Sequence, residues 1–157
     1  MLLGNMLLAL AWAALQGELS LGTLLTGYLL GYLILLALVR GGVVGGSPYI
    51  GRVHRVAGLA AFFLWELVRA NLRLALDVAT PRYHMKPGIV AVPLDATKDS
   101  EVLLLAMLIN LTPGSVALDL SPDGKVMYVH VMYIDTPDAA RAEIKNGFER
   151  RVREVLG

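Results

Sequence analysis

Four charged residues in the middle of the chain are spaced so that their side chains could act together. At intervals of three, four and four positions, they are Glu66, Arg69, Arg73 and Asp77. This spacing places them on one face of a helix. A carboxylate at membrane depth is costly and often functional, so Glu66 is a candidate proton-relay group. The alternative is an ion pair of Glu66 with Arg69 near a membrane surface, because an arginine supplies the compensation that a carboxylate needs there.

The other reactive side chains show no spacing that indicates catalysis or metal binding. His54, His84 and His130 are far apart in the sequence, and none has a metal-ligand partner at the usual spacing. The chain has no cysteine, which excludes disulfides and thiolate chemistry. His130 lies between Asp119 and Asp135 in the sequence, but no nucleophile motif accompanies it, so a structural or interface role is expected. We therefore predict no enzyme activity, no cofactor and no metal.

The composition is typical of a membrane protein. Hydrophobic residues make up 56% of the 157 positions, the mean hydropathy is +0.61, and only 17% of the residues are charged. An average globular chain has about 25% charged residues. Residues 40–86 carry seven basic and two acidic groups, and basic segments beside membrane helices are usually cytoplasmic. This segment lacks interleaved aromatic residues, which argues against nucleic-acid binding.

Two apolar segments predict a helical hairpin in the membrane, with helices at about 1–16 and 20–39. Residues 21–39 are uncharged, and a helix of that length covers about 28 Å, close to the hydrocarbon thickness of a bilayer. Gly27 and Gly31 form a G-x-x-x-G pair, which lets helix backbones approach closely, although glycines are also simply common in membrane helices. This face suits a helix partner better than lipid. The first segment lacks the basic start and the cleavage site of a signal peptide.

A glycine-rich connector over residues 40–48 leads to a predicted third helix at 53–79, which ends before Thr80-Pro81. Two placements of this amphipathic helix are open. It crosses the membrane with its charged face toward a neighbouring subunit, or it lies in the cytoplasmic interface with its basic face in water. Basic residues occur both before and after it, and they prefer the cytoplasmic side, which favours the interfacial placement.

The segment 87–157 predicts a small α/β domain with the order β-α-β-β-α, an open sheet with helices on one face. Strands are expected at 89–92, 116–120 and 126–134, the last one in the sheet interior because both of its faces are largely apolar. Residues 102–109 form a helix that is apolar all round. Its outer side is expected to meet membrane or a partner, unless its own domain wraps it completely.

The last helix is predicted to begin at Thr136-Pro137, since a Thr cap and a Pro in the first turn suit a helix start. The residues expected in its core-facing stripe are Ile144, Phe148, Val152 and Val155. Its charged residues, Glu149 among them, are expected to face water. The preceding Thr112-Pro113-Gly114 segment is either a helix stop or a docking loop, because loops often carry contacts.

Three stretches of the C-terminal segment form a recognisable set. They are Pro87–Leu94, Leu111–Ser115 followed by Leu118-Asp119, and Tyr128–His130 with Asp135 after it. Together they resemble the E subunit of the multisubunit cation/proton antiporters of the Mrp/Mnh type. The apolar hairpin and the amphipathic third helix match the layout of that family in a generic way. The resemblance implies a small subunit of a large assembly that exchanges Na+ or another monovalent cation for protons, with the ion paths in larger subunits.

The resemblance further implies an accessory, non-catalytic subunit in the cell membrane, multi-pass, with its C-terminal domain in the cytoplasm. Its expected partners are the lipid bilayer and the other antiporter subunits. One alternative is the equivalent subunit of a membrane-bound hydrogenase or another energy-converting complex, and a second is a membrane-tethered domain that senses a ligand. The residues expected at subunit contacts are Gly27, Gly31, Glu66, Arg69, Arg73, Thr112, Pro113, Gly114 and His130.

Overall fold

The chain folds into two compact units, Met1–His54 and Arg55–Gly157, which are described separately. The computed structural model describes residues 1–43, 45, 48–80 and 85–157. Part of the predicted connector at 40–48 lies outside the described residues, as do Pro81 and His84.

The first unit begins with two apolar helices, α1 (Leu2–Gln16) and α2 (Leu21–Arg40), close to the predicted bounds. Gly17 ends α1 with a φ of 71°, a left-handed conformation that glycine adopts at little cost. Ser20 caps α2: its hydroxyl accepts the N–H of Thr23 at 3.2 Å, and the Thr23 hydroxyl accepts the N–H of Ser20 at 3.1 Å. Within the described ranges, α2 is the one helix long and apolar enough to cross a membrane, and α1 is apolar but shorter.

The third helix, α3 (Pro48–Ala79), has 32 residues, a length of about 48 Å. It begins at Pro48 rather than at residue 53, because a proline in the first turn needs no N–H partner and has a suitable φ. The boundary between the two units falls inside α3, since from Leu59 onward one face packs on the α/β domain. The sequence predicts a boundary at 80–87 instead, and which part of α3 meets the membrane stays a prediction.

A three-stranded antiparallel sheet organises the second unit, in the order β1-β3-β2 with β3 in the interior, as predicted. The strands are β1 (Gly88–Pro93), β2 (Ser115–Leu120) and β3 (Val126–Val131). β3 ends at Val131 rather than Ile134, because the first residues of β1 and β2 already pair with Val131. Beyond that point a single bridge joins Lys86 to Tyr133.

The helices of the second unit follow the predicted order but contain one irregular segment. They are α4 (Asp99–Leu111), α5 (Pro137–Ile144), a π-helical segment (Lys145–Glu149) and α6 (Arg150–Leu156). The Thr136 hydroxyl caps α5 by accepting the N–H of Ala139 at 3.2 Å, which confirms the predicted helix start. The π-helical segment was not predicted, since its wider turn leaves no mark in the hydrophobic periodicity.

One face of the sheet is covered by these helices and forms the core. The largest buried members are Val90, Val92, Leu105, Ile109, Met127, Val129, Ile144, Phe148 and Val152. The predicted stripe of the last helix is therefore buried at three positions, and its fourth member, Val155, is partly buried. α4 turns Leu105 into this core and leaves Leu103 and Met107 exposed. Its outer side is thus not wrapped by its own domain.

Glu149 corrects one prediction, because it is expected to face water and is only 1% exposed. It lies at the end of the π-helical segment, which turns the helix relative to a regular α-helix. The buried carboxylate accepts the backbone N–H groups of Asp95 and Ala96, the second at 2.9 Å. Lys145 Nζ lies 3.7 Å from its other oxygen. A buried charge is tolerated here because hydrogen bonds and a nearby cation compensate it.

Candidate subunit interface

A cleft of about 100 Å³ lies between α3 and the α/β domain, inside the second unit. It brings together six of the nine residues expected at subunit contacts. They are Glu66, Arg69, Arg73, Thr112, Pro113 and Gly114. Two sequence segments that are about 40 residues apart therefore form one site. The sequence predicts each segment separately, but nothing in it indicates that they meet.

The charged stripe of α3 supplies one wall of the cleft. Arg69 donates to Glu66 at 3.3 Å and to Glu143 of α5 at 3.1 Å. The Glu66 side chain is only 14% exposed. The stripe runs along the edge of the α/β domain, where Glu66 is largely covered while Arg69 and Arg73 stay exposed. The ion pair of Glu66 with Arg69, one of the two alternatives from the sequence, is present.

Arg73 occupies the next position on the same wall. Its guanidinium lies over the ring of Tyr133, 5.1 Å from the centroid, a cation–π geometry. Desolvation raises the pKa of the Tyr133 phenol, the buried carboxylate of Asp77 raises it further, and Arg73 opposes this effect. Tyr133 therefore stays protonated and neutral in the physiological range.

The Thr112-Pro113-Gly114 segment forms the opposite wall and ends α4. The Thr112 hydroxyl donates to the carbonyl of Leu108 at 2.9 Å, and the Ser115 hydroxyl donates to the carbonyl of Ile109 at 2.8 Å. Gly114 has a φ of +86°, which disfavours any residue with a side chain. These bonds show that the segment is a helix stop. Its side toward the cleft remains available for a contact.

Aromatic rings form the floor of the cleft. Phe62 of α3 packs edge-to-face on Phe148, with ring centroids 5.2 Å apart. A Cβ on Gly147 would come within 3.2 Å of the Phe62 ring, so the two segments pack closely here. The guanidinium of Arg151 covers the other side of Phe62 at 3.8 Å. Sequence reasoning missed Phe62 as a site residue, although its position among the apolar residues of α3 is a signal for packing.

The three remaining candidates lie elsewhere. Gly27 and Gly31 are buried, and a Cβ on either would collide with α1, with Ala9 at the first and Asn5 at the second. The helix partner expected for this face is therefore α1 of the same chain, which leaves these glycines no surface for another subunit. His130 is half-buried on the sheet face that the helices leave uncovered.

A hydrogen-bonded cluster inside the first unit was not predicted. Asn5 is fully buried and donates to the Tyr49 hydroxyl at 3.0 Å, and this hydroxyl lies 2.6 Å from that of Tyr28. Asn5 belongs to α1, Tyr49 to α3 and Tyr28 to α2, so these two hydrogen bonds join all three helices. An asparagine in an otherwise apolar segment is the signal that could have indicated it, because a buried amide needs partners.

The cleft has the chemistry of a contact surface. Its polar groups are paired guanidinium and carboxylate groups, a neutral phenol and hydroxyls that bond to backbone carbonyls. Over the described part of the chain, no group of three His, Cys, Asp or Glu side chains is placed to hold a metal ion. The ion pairs of the cleft join residues of this chain, and Arg69 and Glu143 are about half exposed.

Comparisons with known proteins identify the family. The family model described as Na+/H+ ion antiporter subunit (MNHE) matches residues 5–155. The E subunits of the Na(+)/H(+) antiporters of Bacillus subtilis (strain 168) and Alkalihalophilus pseudofirmus are each 34% identical to the chain over 151 residues, covering 96% of it and 94% of each relative.

Among solved structures, a chain of the membrane-bound sulfane sulfur reductase, an archaeal respiratory membrane complex, is similar in fold. It is 28% identical, with 98% of this chain and 97% of that chain covered and a TM-score of 0.58. The family match covers nearly the whole sequence and includes both structural units. The chain therefore belongs to the MNHE family of Na+/H+ ion antiporter subunits.

Proposed function

We propose that the chain is a non-catalytic assembly subunit of a multisubunit Na+/H+ antiporter in the cell membrane. The observation that carries this proposal is the family match over residues 5–155, together with relatives of similar length that are named as E subunits of such antiporters. A subunit of this size has too few polar groups at membrane depth to form an ion path alone. The polar cluster of the first unit, Asn5 and Tyr28 of the hairpin with Tyr49 of α3, includes no acid.

The hairpin supports the membrane placement. α2 is long and apolar enough to span a bilayer, and both helices leave large apolar side chains exposed. Among the most exposed are Leu3, Leu7, Leu15, Leu21, Leu25 and Leu29. Surface of this kind is covered by lipid or by other helices. We assign residues 1–40 to a membrane hairpin and residues 87–157 to a cytoplasmic domain, because the basic residues between them prefer the cytoplasmic side.

The cleft is the proposed docking site for another subunit. Arg69 and Glu143 are about half exposed and so can exchange partners at low cost, since exposed ion pairs add little stability. The uncovered outer side of α4 and the sheet face around His130 are further candidate contacts. The cleft itself, at about 100 Å³, is smaller than typical small-molecule pockets of roughly 300–1,000 Å³, so a protein contact fits it better than a bound ligand.

The second candidate function is the equivalent role in another respiratory complex. It is favoured by the fold similarity to a chain of the archaeal sulfane sulfur reductase complex, with a TM-score of 0.58. The two roles share the same physical basis, a membrane hairpin that carries a docking domain. They differ only in which large subunits are bound.

Affinity purification tests the proposal. The tagged full chain, extracted from its native membrane in mild detergent, should co-purify with a stoichiometric set of antiporter subunits. Deletion of its gene should abolish or strongly reduce Na+/H+ antiport in everted membrane vesicles, and re-expression should restore it. A chain that purifies alone, with antiport unchanged by the deletion, would disprove the proposal. Co-purification with redox subunits instead would support the second candidate.

A further inference from the structure

α3 carries one wall of a second groove, and this wall consists of exposed apolar side chains. Four large side chains at helical spacing form this wall, and they are between 52% and 66% exposed. They are Trp65, Val68, Leu72 and Leu76. A contiguous apolar surface of this kind is rare on a protein that is surrounded by water, and it marks a place where something apolar binds.

The rest of the groove is mixed, with Tyr133 and Ile134 beside charged side chains. Arg73 and Lys86 are two of its basic residues. Neither has a carboxylate within ion-pair distance among the residues that the structure describes. Asp77 and Asp135 also line the groove, but Asp77 is only 4% exposed and interacts with Tyr133. Beside an apolar stripe, the groove thus offers two basic side chains without an ion-pair partner in the described part of the chain, and Asp135 is its exposed carboxylate.

An anionic phospholipid has the complementary chemistry. Its acyl chains match the apolar wall, and its phosphate matches the two cations. A helix with an apolar face, basic residues at its border and a tryptophan on the apolar side is typical of the membrane–water boundary. α3 is also the segment that follows the membrane hairpin directly, and its first turn carries Tyr49, which is hydrogen-bonded to the hairpin residues Asn5 and Tyr28.

We propose that this groove binds an anionic phospholipid, with the phosphate at Arg73 and Lys86 and the acyl chains along Trp65, Leu72 and Leu76. The lipid then holds the amphipathic part of α3 at the cytoplasmic surface of the membrane. This proposal goes beyond the assembly role and does not depend on which parent complex the chain joins. A helix of another subunit is the competing occupant of the apolar wall.

Fluorescence quenching tests whether the groove of the isolated full chain binds an anionic phospholipid. The Trp12→Phe variant leaves Trp65 as the single tryptophan, and the chain is placed in nanodiscs of phosphatidylcholine with a minor share of phosphatidylglycerol. When only the phosphatidylglycerol carries brominated acyl chains, we expect quenching of Trp65 several-fold above that for random lipid mixing. Quenching equal to random mixing would overturn the proposal. Native mass spectrometry of the wild-type chain, which should retain phosphatidylglycerol over phosphatidylcholine, gives a second measurement without the substitution.

Charge variants test the phosphate site. Because each basic residue near an anionic surface adds to lipid binding, Arg73→Gln/Lys86→Gln should weaken phosphatidylglycerol binding roughly tenfold and leave phosphatidylcholine binding unchanged. The matched control is Lys125→Gln/Arg150→Gln, which removes the same charge from positions outside the groove. Equal losses in both double variants would show nonspecific attraction and overturn the site. Inorganic phosphate at millimolar concentration should not compete, since it lacks acyl chains, and full competition by it would overturn the lipid assignment.

A photo-crosslinking amino acid in place of Leu72 tests whether lipid or a helix of another subunit covers the apolar wall in the assembled complex. We expect crosslinks to lipid, visible as a lipid-sized mass increase of the tagged chain. A crosslink to another subunit would show that a protein helix covers the apolar wall, and this would overturn the proposal even if the assembly role holds. Loss of co-purification, in contrast, would contradict the assembly role and not the lipid site.

Discussion

The carboxylate of Glu149 accepts the backbone N–H of Ala96 at 2.9 Å and thereby joins the last helix to the loop before α4. The residues are 53 positions apart, and Glu149 is 1% exposed. A second N–H, from Asp95, shares the same carboxylate oxygen. This arrangement satisfies two backbone donors at one buried point.

We predict that Glu149→Leu destabilises the α/β domain by about 2–4 kcal/mol, because it leaves both donors without an acceptor. Glu149→Gln keeps an acceptor oxygen and should cost less. Denaturant unfolding of the full chain in detergent, followed by circular dichroism, measures the difference. Glu154→Leu is the control, since that side chain is 52% exposed. A Glu149→Leu variant as stable as this control would show that the hydrogen bonds contribute little.

The contact of Gly31 with Asn5 predicts that the hairpin does not tolerate a methyl group there. A Cβ on Gly31 would collide with the Asn5 amide oxygen and reach 3.0 Å from Leu8, so Gly31→Ala should force α1 and α2 apart. Gly22→Ala, also in α2, meets only the Ser20 hydroxyl at 3.7 Å and should be neutral or stabilising by up to about 1 kcal/mol. Thermal unfolding in detergent compares the two.

A second substitution tests whether the contact with Asn5 causes the Gly31→Ala penalty. Asn5→Ala removes the amide oxygen, so the Gly31→Ala penalty should shrink in the Asn5→Ala background, a coupling that a double-mutant cycle measures. If the penalty is the same in both backgrounds, the clash lies with Leu8 or elsewhere, and the Asn5 contact is not its source.

The cleft ion pairs predict a difference between folding and assembly. Arg69→Gln should change the stability of the chain by less than about 1 kcal/mol, because its pairs with Glu66 and Glu143 are partly exposed. The same variant should lower co-purification with other subunits and antiport in vesicles if the cleft is a docking site. Arg150→Gln is the control, an exposed arginine 4.0 Å from Glu154. Unchanged assembly in Arg69→Gln would remove the cleft from the proposed interface.

The turn between β2 and β3 predicts a pH effect. Hydrogen bonds from the Ser121 hydroxyl at 2.6 Å and the Lys125 N–H at 3.2 Å lower the pKa of Asp123 below 3.8. A carboxyl whose pKa is depressed by folding contributes stability above its unfolded pKa, and this contribution is lost as the pH falls through the folded pKa. In Ser121→Ala the pKa should rise toward 3.8, which carbon-detected NMR titration of the chain in micelles measures. An unchanged pKa would mean that the hydroxyl does not cause the shift.

Local sequence patterns predicted the positions of the helices and strands well. The uncharged run ending at Val39, the turn residues before β3 and the Thr136 cap all act on neighbouring residues, so helix and strand positions follow from them directly. The family resemblance also rested on short motifs in the α/β domain, and the full-length match confirms it. β3 ends at Val131 rather than at the predicted Ile134, because the first residues of its partner strands, which are distant in sequence, pair with Val131.

Contacts between distant elements could not be predicted in this way. The spacing of Glu66, Arg69 and Asp77 shows that they share a face, but not that this face meets the α/β domain. The G-x-x-x-G pair likewise predicts a close helix, but the identity of that helix depends on how α1 folds back. Glu149 belongs by its chemistry to the surface, and only the loop at Ala96 makes its burial favourable.

The sequence by itself determined that this chain has an apolar hairpin, an amphipathic third helix and a small α/β domain, because periodicity, caps and turns act over a few residues. Only the tertiary structure decided which surfaces remain exposed, because exposure depends on which faces of the helices and strands pack against other parts of the chain. In α3, Arg69 therefore pairs with Glu143 of the domain, while Trp65 and Leu72 stay exposed.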